Sequence, residues 1–244
     1  VSSGAGMECV SLRELVQIKK YSTPKIFNSV ASSEEELREA LAQNALIIID
    51  SLSQAELLFQ LTKGKPLNVG VRVRFDSHRF GFSPTEIKEV IRELEKKGLR
   101  VTVLHAHPGT DVSLSSYRNF LTQFSALLND FPQLEGIDIG GGLPGVENLR
   151  ARKTGIEEYA SVVKEVLGGY VKDKTLYLES GRYMVEDSFV LVTRVQHVKE
   201  VEGKAFALLD AGINALPKIS FSPFRFSALT QSGNEMKNFR LAGP

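Results

Sequence analysis

The 244-residue chain has a single cysteine, Cys9, almost no excess of either charge, and no long apolar run. One thiol excludes an internal disulfide framework. Thirty Lys and Arg against twenty-nine Asp and Glu leave a formal charge of +1. There is no basic run to track a phosphate backbone and no cationic amphipathic face for a lipid surface, so nucleic acid and membrane are not expected partners. A membrane helix needs about 20 apolar residues in succession, and no stretch approaches that. A soluble protein of the reducing cytoplasm fits these absences. The sequence opens on VSSGAG and stops at RLAGP, without initiator Met, signal sequence or tail, and reads as a piece of something longer.

What is present is enough apolar material, 42% of residues, for one sizeable core. A physical unit repeats: an apolar strand-like run, then Ser or Thr with Glu three residues on, the capping-box start of a helix. MECV leads to Ser11 and Glu14, KIFNSV to Ser33 and Glu36, ALIIID to Ser53 and Glu56, and LNVGVRVRF to Ser83 and Glu86. In the last unit Pro84 is expected at the first helical position, and Ile87, Val90, Ile91 and Leu94 form one apolar stripe. LRVTVLH then precedes a helix expected over about 113 to 129, GIDIG precedes Thr154 and Glu157, and TLYLES closes a set of seven strands.

Strands alternating with helices imply parallel pairing through right-handed crossovers. The count favours a (β/α)8 TIM-type barrel lacking one unit over an open doubly wound sheet. After Arg182 the pattern changes to SFVLVTRVQHVKEVEG and AFALLDAG, alternating runs with a turn at Glu202 and Gly203. The expected organisation is therefore a barrel over 1–184 and the start of an all-β region over 185–244. Residues 220–235 have no clear period and read as loop or edge strand.

Barrel chemistry sits at the carboxyl ends of strands, where His105 and His107, the triplet Gly140, Gly141 and Gly142, and Glu179 with Arg182 fall. Three consecutive glycines at the end of IDIG imply that something approaches the backbone closely, either a phosphate or the tight turn that Pro144 and Gly145 also favour. ESGR, residues 179–182, offers an acid, a glycine and a guanidinium fork. These suit a ligand with one cationic ring nitrogen and one dianionic group, with a Glu–Arg surface ion pair as the plainer alternative.

GAGMECVS, HAHPGT, IDIGGGLPG, ESGRYMV and LLDAGIN, in this order, resemble the fold-type III pyridoxal-phosphate-dependent amino-acid decarboxylases, the group holding diaminopimelate and ornithine decarboxylases. The resemblance implies a lyase that uses pyridoxal 5′-phosphate to stabilise the carbanion left by decarboxylation of an amino acid, working as a homodimer with the active site at the interface. Gly140, Gly141 and Gly142 would hold the cofactor phosphate, with Arg182, Gly181 and Thr110 beside it. Glu179 would pair with the pyridine nitrogen and His107 would stack on the ring. Asp210 and Asn214 would lie near the substrate. The substrate-selecting positions depart from the family: ALPK, with Lys218, stands where diaminopimelate enzymes carry an Arg, and Ala211 where ornithine enzymes carry an Asp. A carboxylate at the ring nitrogen favours decarboxylation over racemisation, because it keeps the nitrogen protonated and the electron sink strong.

Two other readings stay open. HAH could serve a metal-dependent hydrolase, with His105 as a packed residue the plainer alternative; a third imidazole would have to come from His78 or His197. A barrel that binds the cofactor without turnover is the second. The family's Schiff-base lysine lies on the first barrel strand, and no lysine here has a matching context. That strand is expected upstream of Val1, and the family's cysteine and aspartate motif after Pro244. Cofactor binding by residues 1–244 alone would then be reversible.

Overall fold

Helix starts govern the chain's layout. In the computed structural model, which describes residues 5–75, 79–217, 226–229 and 238–244, Ser11, Ser33 and Ser113 each accept the backbone N–H three residues on. They open helices α1 (Leu12–Ile18), α2 (Glu34–Ala42) and α5 (Leu114–Leu128). Ser33 and Glu36 complete a reciprocal capping box, Glu36 accepting the Ser33 N–H at 2.8 Å.

Three starts differ from the sequence reading. Helix α3 (Leu52–Thr62) is capped by Ser51 rather than Ser53, because Gln54 substitutes for the expected Glu and accepts the Asp50 N–H at 2.8 Å. Helix α4 (Ile87–Lys96) begins after a turn over 84–86, since Ser83 spends its hydroxyl on the Glu86 side chain at 2.6 Å. Pro84 thus opens the turn, not the helix, while Ile87, Val90, Ile91 and Leu94 are buried as the stripe requires. Helix α7 (Ile156–Leu167) starts one residue late, with Glu158 accepting the Gly155 N–H at 2.7 Å.

Between the helices run β1 (Met7–Cys9), β2 (Lys25–Phe27), β3 (Leu46–Ile49), β4 (Leu67–Val73), β5 (Leu99–Ala106), β6 (Gly136–Asp138) and β7 (Thr175–Tyr177). All six pairings are parallel, in the order β1-β2-β3-β4-β5-β6-β7. A doubly wound sheet reverses direction at a switch point, whereas this steady order is barrel winding. A short helix α6 (Val146–Ala151) precedes α7, and β7 feeds a five-residue helix α8 (Gly181–Val185).

Pleating divides the strands between two faces. Phe27, Ile47, Ile49, Val69, Val71, Leu104 and Ile137 join the helix-side core. On the other face the register aligns Ile48, Gly70, Val103, Gly136 and Thr175 in one row. One step towards the strands' carboxyl ends it aligns Arg72, His105, Asp138 and Tyr177. An apolar row therefore underlies a polar one.

The chain divides into two compact units, Val1–Ser188 and Phe189–Pro244. In the second, β8 (Val195–Val201) and β9 (Lys204–Leu209) form an antiparallel hairpin through Glu202 and Gly203, whose φ values of 49° and 72° are those of a tight hairpin turn. β10 (Arg240–Ala242) adds parallel to β9. Every residue of β8 is exposed. His78, Lys218 and most of the segment 220–235 lie outside the described residues; 226–229 are irregular. No helix among the described residues is long and apolar enough to cross a membrane.

Candidate cofactor site

The glycine triplet meets the protein itself. A Cβ on Gly140 would lie 2.8 Å from His107 Nδ1 and 2.9 Å from the Ala106 carbonyl. On Gly141 it would lie 2.5 Å from the Glu179 carbonyl, and on Gly142 2.8 Å from both the Gly109 carbonyl and Pro108. Gly140 and Gly142 also have φ of 60° and 86°, where a side chain is strained. The loops after β5, β6 and β7 therefore converge on this turn, and its tightness is as real as its closeness.

Hydrogen bonds fix the convergence. Gly140 N–H donates to Asp138 Oδ1 at 2.8 Å, Gly141 N–H to His107 Nδ1 at 3.3 Å, and Glu179 N–H to the Gly140 carbonyl at 2.9 Å. Val112 N–H donates to the Gly142 carbonyl at 2.9 Å, and the Tyr159 hydroxyl to the Val112 carbonyl at 2.7 Å. The loop bearing His107 and Thr110 is thus tied both to the triplet and to α7.

Glu179 projects into a buried polar cluster. Its side chain is 7% exposed, and those of His105 and Asp138 are fully covered. One donor atom from each of the three lies within 4.8 Å of the others. Asn28, just past β2, sends its amide to Glu179 Oε2 at 3.3 Å and lies 3.1 Å from His105 Nε2. With Nε2 as the acceptor, the ring proton sits on Nδ1. Three atoms in the cluster, Glu179 Oε1, Asp138 Oδ2 and His105 Nδ1, have no hydrogen-bond partner among the described residues.

Burial sets the charge states. It pushes Asp138 up to about 7, against the pull of His105 and with a further push from Glu179. It raises Glu179 as well, opposed by hydrogen bonds from Asp138 and Asn28 and by Arg72. His105 is pushed down to about 4 by burial and is neutral at pH 7. Glu8, on β1, is pushed up to about 8 by desolvation first and then by Glu179, Glu14 and Asp138. Much of Glu8's surface stays open to water, and solvent screening moderates that shift. The site is rich in carboxyl groups and holds Arg72 as a cation facing them.

The structure brings together Glu179, His107 and the triplet among the residues singled out from sequence. Arg182, on α8, is turned to Glu186 one helical turn on, so the ion pair that ESGR suggested forms with Glu186 instead of Glu179. Gly181 donates its N–H to the Glu179 carbonyl at 2.9 Å, and Thr110 is exposed on its loop. Asp210 and Asn214 belong to the second unit. Asp210 accepts from Arg194 N–H at 2.9 Å, Thr193 Oγ1 at 2.6 Å and Gln196 Nε2 at 3.1 Å, which makes it a staple of the β8–β9 base. His105 and His107 do not act as a pair: one is buried against Glu179 and the other, exposed past the strand end, holds Gly141. The hydrolase reading loses its second imidazole. Asn28, Arg72 and Asp138 were missed in the sequence. The signal for Asp138 was available, a charge inside the apolar run GIDIG.

A parallel, singly wound barrel-type sheet with its polar groups gathered at the strands' carboxyl ends defines the barrel class of ligand-binding domains. Within that class, the chain belongs to the family described as pyridoxal-dependent decarboxylase, pyridoxal binding domain, whose model matches residues 1–186. It is 28% identical over 239 residues to the diaminopimelate decarboxylase of Aquifex aeolicus, covering 87% of this chain and 56% of that protein. It is 29% identical over 271 residues to that of Pseudomonas aeruginosa, covering 99% of this chain and 64% of the relative. The chain thus spans between half and two thirds of these relatives' length. The fold matches the Helicobacter pylori diaminopimelate decarboxylase complexed with L-lysine at a TM-score of 0.85 and 22% identity, over 100% of this chain and 67% of that one. It matches the Vibrio vulnificus lysine/ornithine decarboxylase complexed with putrescine at 0.81 and 21%, over 100% and 68%.

Proposed function

We propose that the first unit cradles pyridoxal 5′-phosphate for the decarboxylation of an amino acid by the whole protein. The observation that carries this is Glu179: a carboxyl at a strand end, nearly buried, with one oxygen lacking a donor among the described residues and a glycine turn packed on its backbone. A protonated ring nitrogen is a donor of the right charge for that carboxylate, whose oxygens keep free lone pairs. When bound, the cofactor supplies an electron sink for the bond that releases carbon dioxide. Glu179 would keep the ring nitrogen protonated, and Asn28 fixes which way its carboxylate faces. His107 would cover the ring.

Phosphate capture is an exchange of partners. Gly141's N–H is held by His107 Nδ1 and Arg182 by Glu186, so to hold a phosphate both groups would have to leave acceptors inside the protein. Gly142, Gly181 and Thr110 complete its surroundings. The names of the relatives favour diaminopimelate or a related basic amino acid as substrate. The resemblance assigns the substrate side to Asp210 and Asn214, which belong to the second unit. The exposed apolar run Phe189, Val190, Leu191 and Val192 suits burial in a homodimer that completes the site, in the cytoplasm.

In the complete protein, Glu179→Gln is expected to slow decarboxylation by more than a hundredfold, since a lost electrostatic partner of this kind is commonly worth about 3 kcal/mol. Cofactor titration by absorbance should show the phosphate-anchored affinity changing far less. Turnover at the parental rate would refute the role of Glu179.

A further inference from the structure

Asp138 has no role in the reading above, yet it touches both ends of the cradle. Its Oδ1 accepts the Gly140 N–H at 2.8 Å, which sets the first left-handed residue of the triplet. Its other oxygen, Oδ2, is buried without a hydrogen-bond partner among the described residues, and so is Glu179 Oε1. The two side chains are fully buried and 7% exposed, with donor atoms within 4.8 Å of each other. Two ionised carboxylates cannot rest this way, because each would be a buried charge against a like charge with an unfilled lone pair. A single proton resolves both defects, filling Oδ2 and giving Oε1 a donor.

We propose that Asp138 is a positioning residue for Glu179: it carries a proton on Oδ2, donates it in a hydrogen bond to Glu179 Oε1, and with Oδ1 holds the glycine turn in register. Glu179 is then the ionised member, held by Asp138 on one oxygen and by Asn28 on the other, with lone pairs left for a cation. The contact acts on the two in opposite senses: it adds to the rise of Asp138 and opposes the rise that burial gives Glu179. The charged and titratable groups facing Asp138 are Glu179, His105 from β5 and Glu8 from β1, and Arg72 from β4 acts on all three of these. His105 is neutral and so supplies no proton to compensate a second carboxylate. The functional part of this inference rests on the proposed role of Glu179; the proton does not.

The test uses the 244-residue chain without cofactor. With aspartate-selective carbon-13 labelling of the carboxyl, one resonance should titrate near pH 7 and vanish in Asp138→Asn, while that of Asp50, which burial also raises, persists. Glu8 is invisible to that label. Thermal melts give a second readout with a sign. An acid raised on folding binds more protons in the native than in the unfolded state between pH 4 and 7, so its contribution to stability falls as pH rises through that window. The Tm of Asp138→Asn relative to wild type should therefore climb from pH 4 to 7 and then level. An ionised Asp138 serving merely as an acceptor for Gly140 would leave that difference flat from pH 4 to 7 and put the opposite slope below about pH 4. All aspartates titrating below about 5, where unperturbed carboxyls lie, or a flat or opposite slope, would overturn the proposal. Should Asp138→Asn fail to fold, the wild-type titration still decides it. If Glu179→Gln kept full turnover while one aspartate titrated near 7, the cofactor reading would fail and the shared proton would stand.

Discussion

Asp138 and Asp210 are one side chain in two settings. The first ends a strand of the seven-stranded sheet, covered on all sides, and its carboxyl is pushed up to about 7 by burial. The second closes the β8–β9 hairpin in water, where the Arg194 N–H, Thr193 and Gln196 hold it below the usual carboxylate range. Both make hydrogen bonds; solvent decides the sign. A carboxylate with several donors and access to water is stabilised as an anion, while a covered one beside another acid keeps its proton. The contrast extends to the two units. The barrel unit gathers polar groups where water is excluded, and the hairpin unit displays β8 entirely at the surface.

The largest expected effect sharpens this contrast through glycine. Gly141→Ala places a methyl 2.5 Å from the Glu179 carbonyl, and neither backbone can yield without moving the polar cluster; a loss of about 3 kcal/mol by denaturant melt is expected. Gly203→Ala, at the hairpin tip with nothing within 4 Å, should lose only the left-handed strain of about 1 kcal/mol. Equal losses would break the comparison.

Histidine gives a smaller effect. His105→Ala removes a fully buried ring that Asn28 and Glu179 face, and should destabilise by about 2 kcal/mol and loosen cofactor binding. That is a larger role than the packed residue the sequence suggested. His197→Ala, exposed on β8, should stay within about 0.5 kcal/mol.

The smallest effect is a pH slope. Glu8 is raised, its exposure to water moderating the shift, so it withdraws stability as pH climbs from about 4.5 towards 8, the native state binding more protons there. Glu8→Gln should flatten the melting temperature across that range. Asp210→Asn should act at the other end: its carboxyl is lowered, so its contribution is present above about pH 4 and lost below. Melts of the two variants that run parallel to wild type at every pH would remove the distinction.

The strands and their order were legible because each apolar run ends in a helix signal, and Ser33 with Glu36 forms the box that its spacing announced. Boundaries slipped where another residue could do the same work, as Ser51 with Gln54 did ahead of Ser53 with Glu56. In the site, Glu179 and the triplet stood out by motif. Asn28, Arg72 and Asp138 did not, because what unites them is register across parallel strands, and no local pattern in one strand reports what the next one faces. Arg182's partner likewise follows from helix geometry: Glu186 lies four residues on, a spacing that matters only once α8 exists.

The tie between Gly141 and His107 bears on how tightly a ligand could be held. Each glycine of the turn is walled by neighbouring loops, and those loops are themselves pinned through Val112 and Tyr159. Their conformational freedom has already been surrendered when the chain folds. An anion bound as proposed would trade one acceptor for another at a fixed N–H and order almost no backbone. Loop immobilisation is a large entropic penalty in many complexes, and here it is nearly absent, so affinity at this turn is set by the difference between two hydrogen bonds and by the swing of a single imidazole ring.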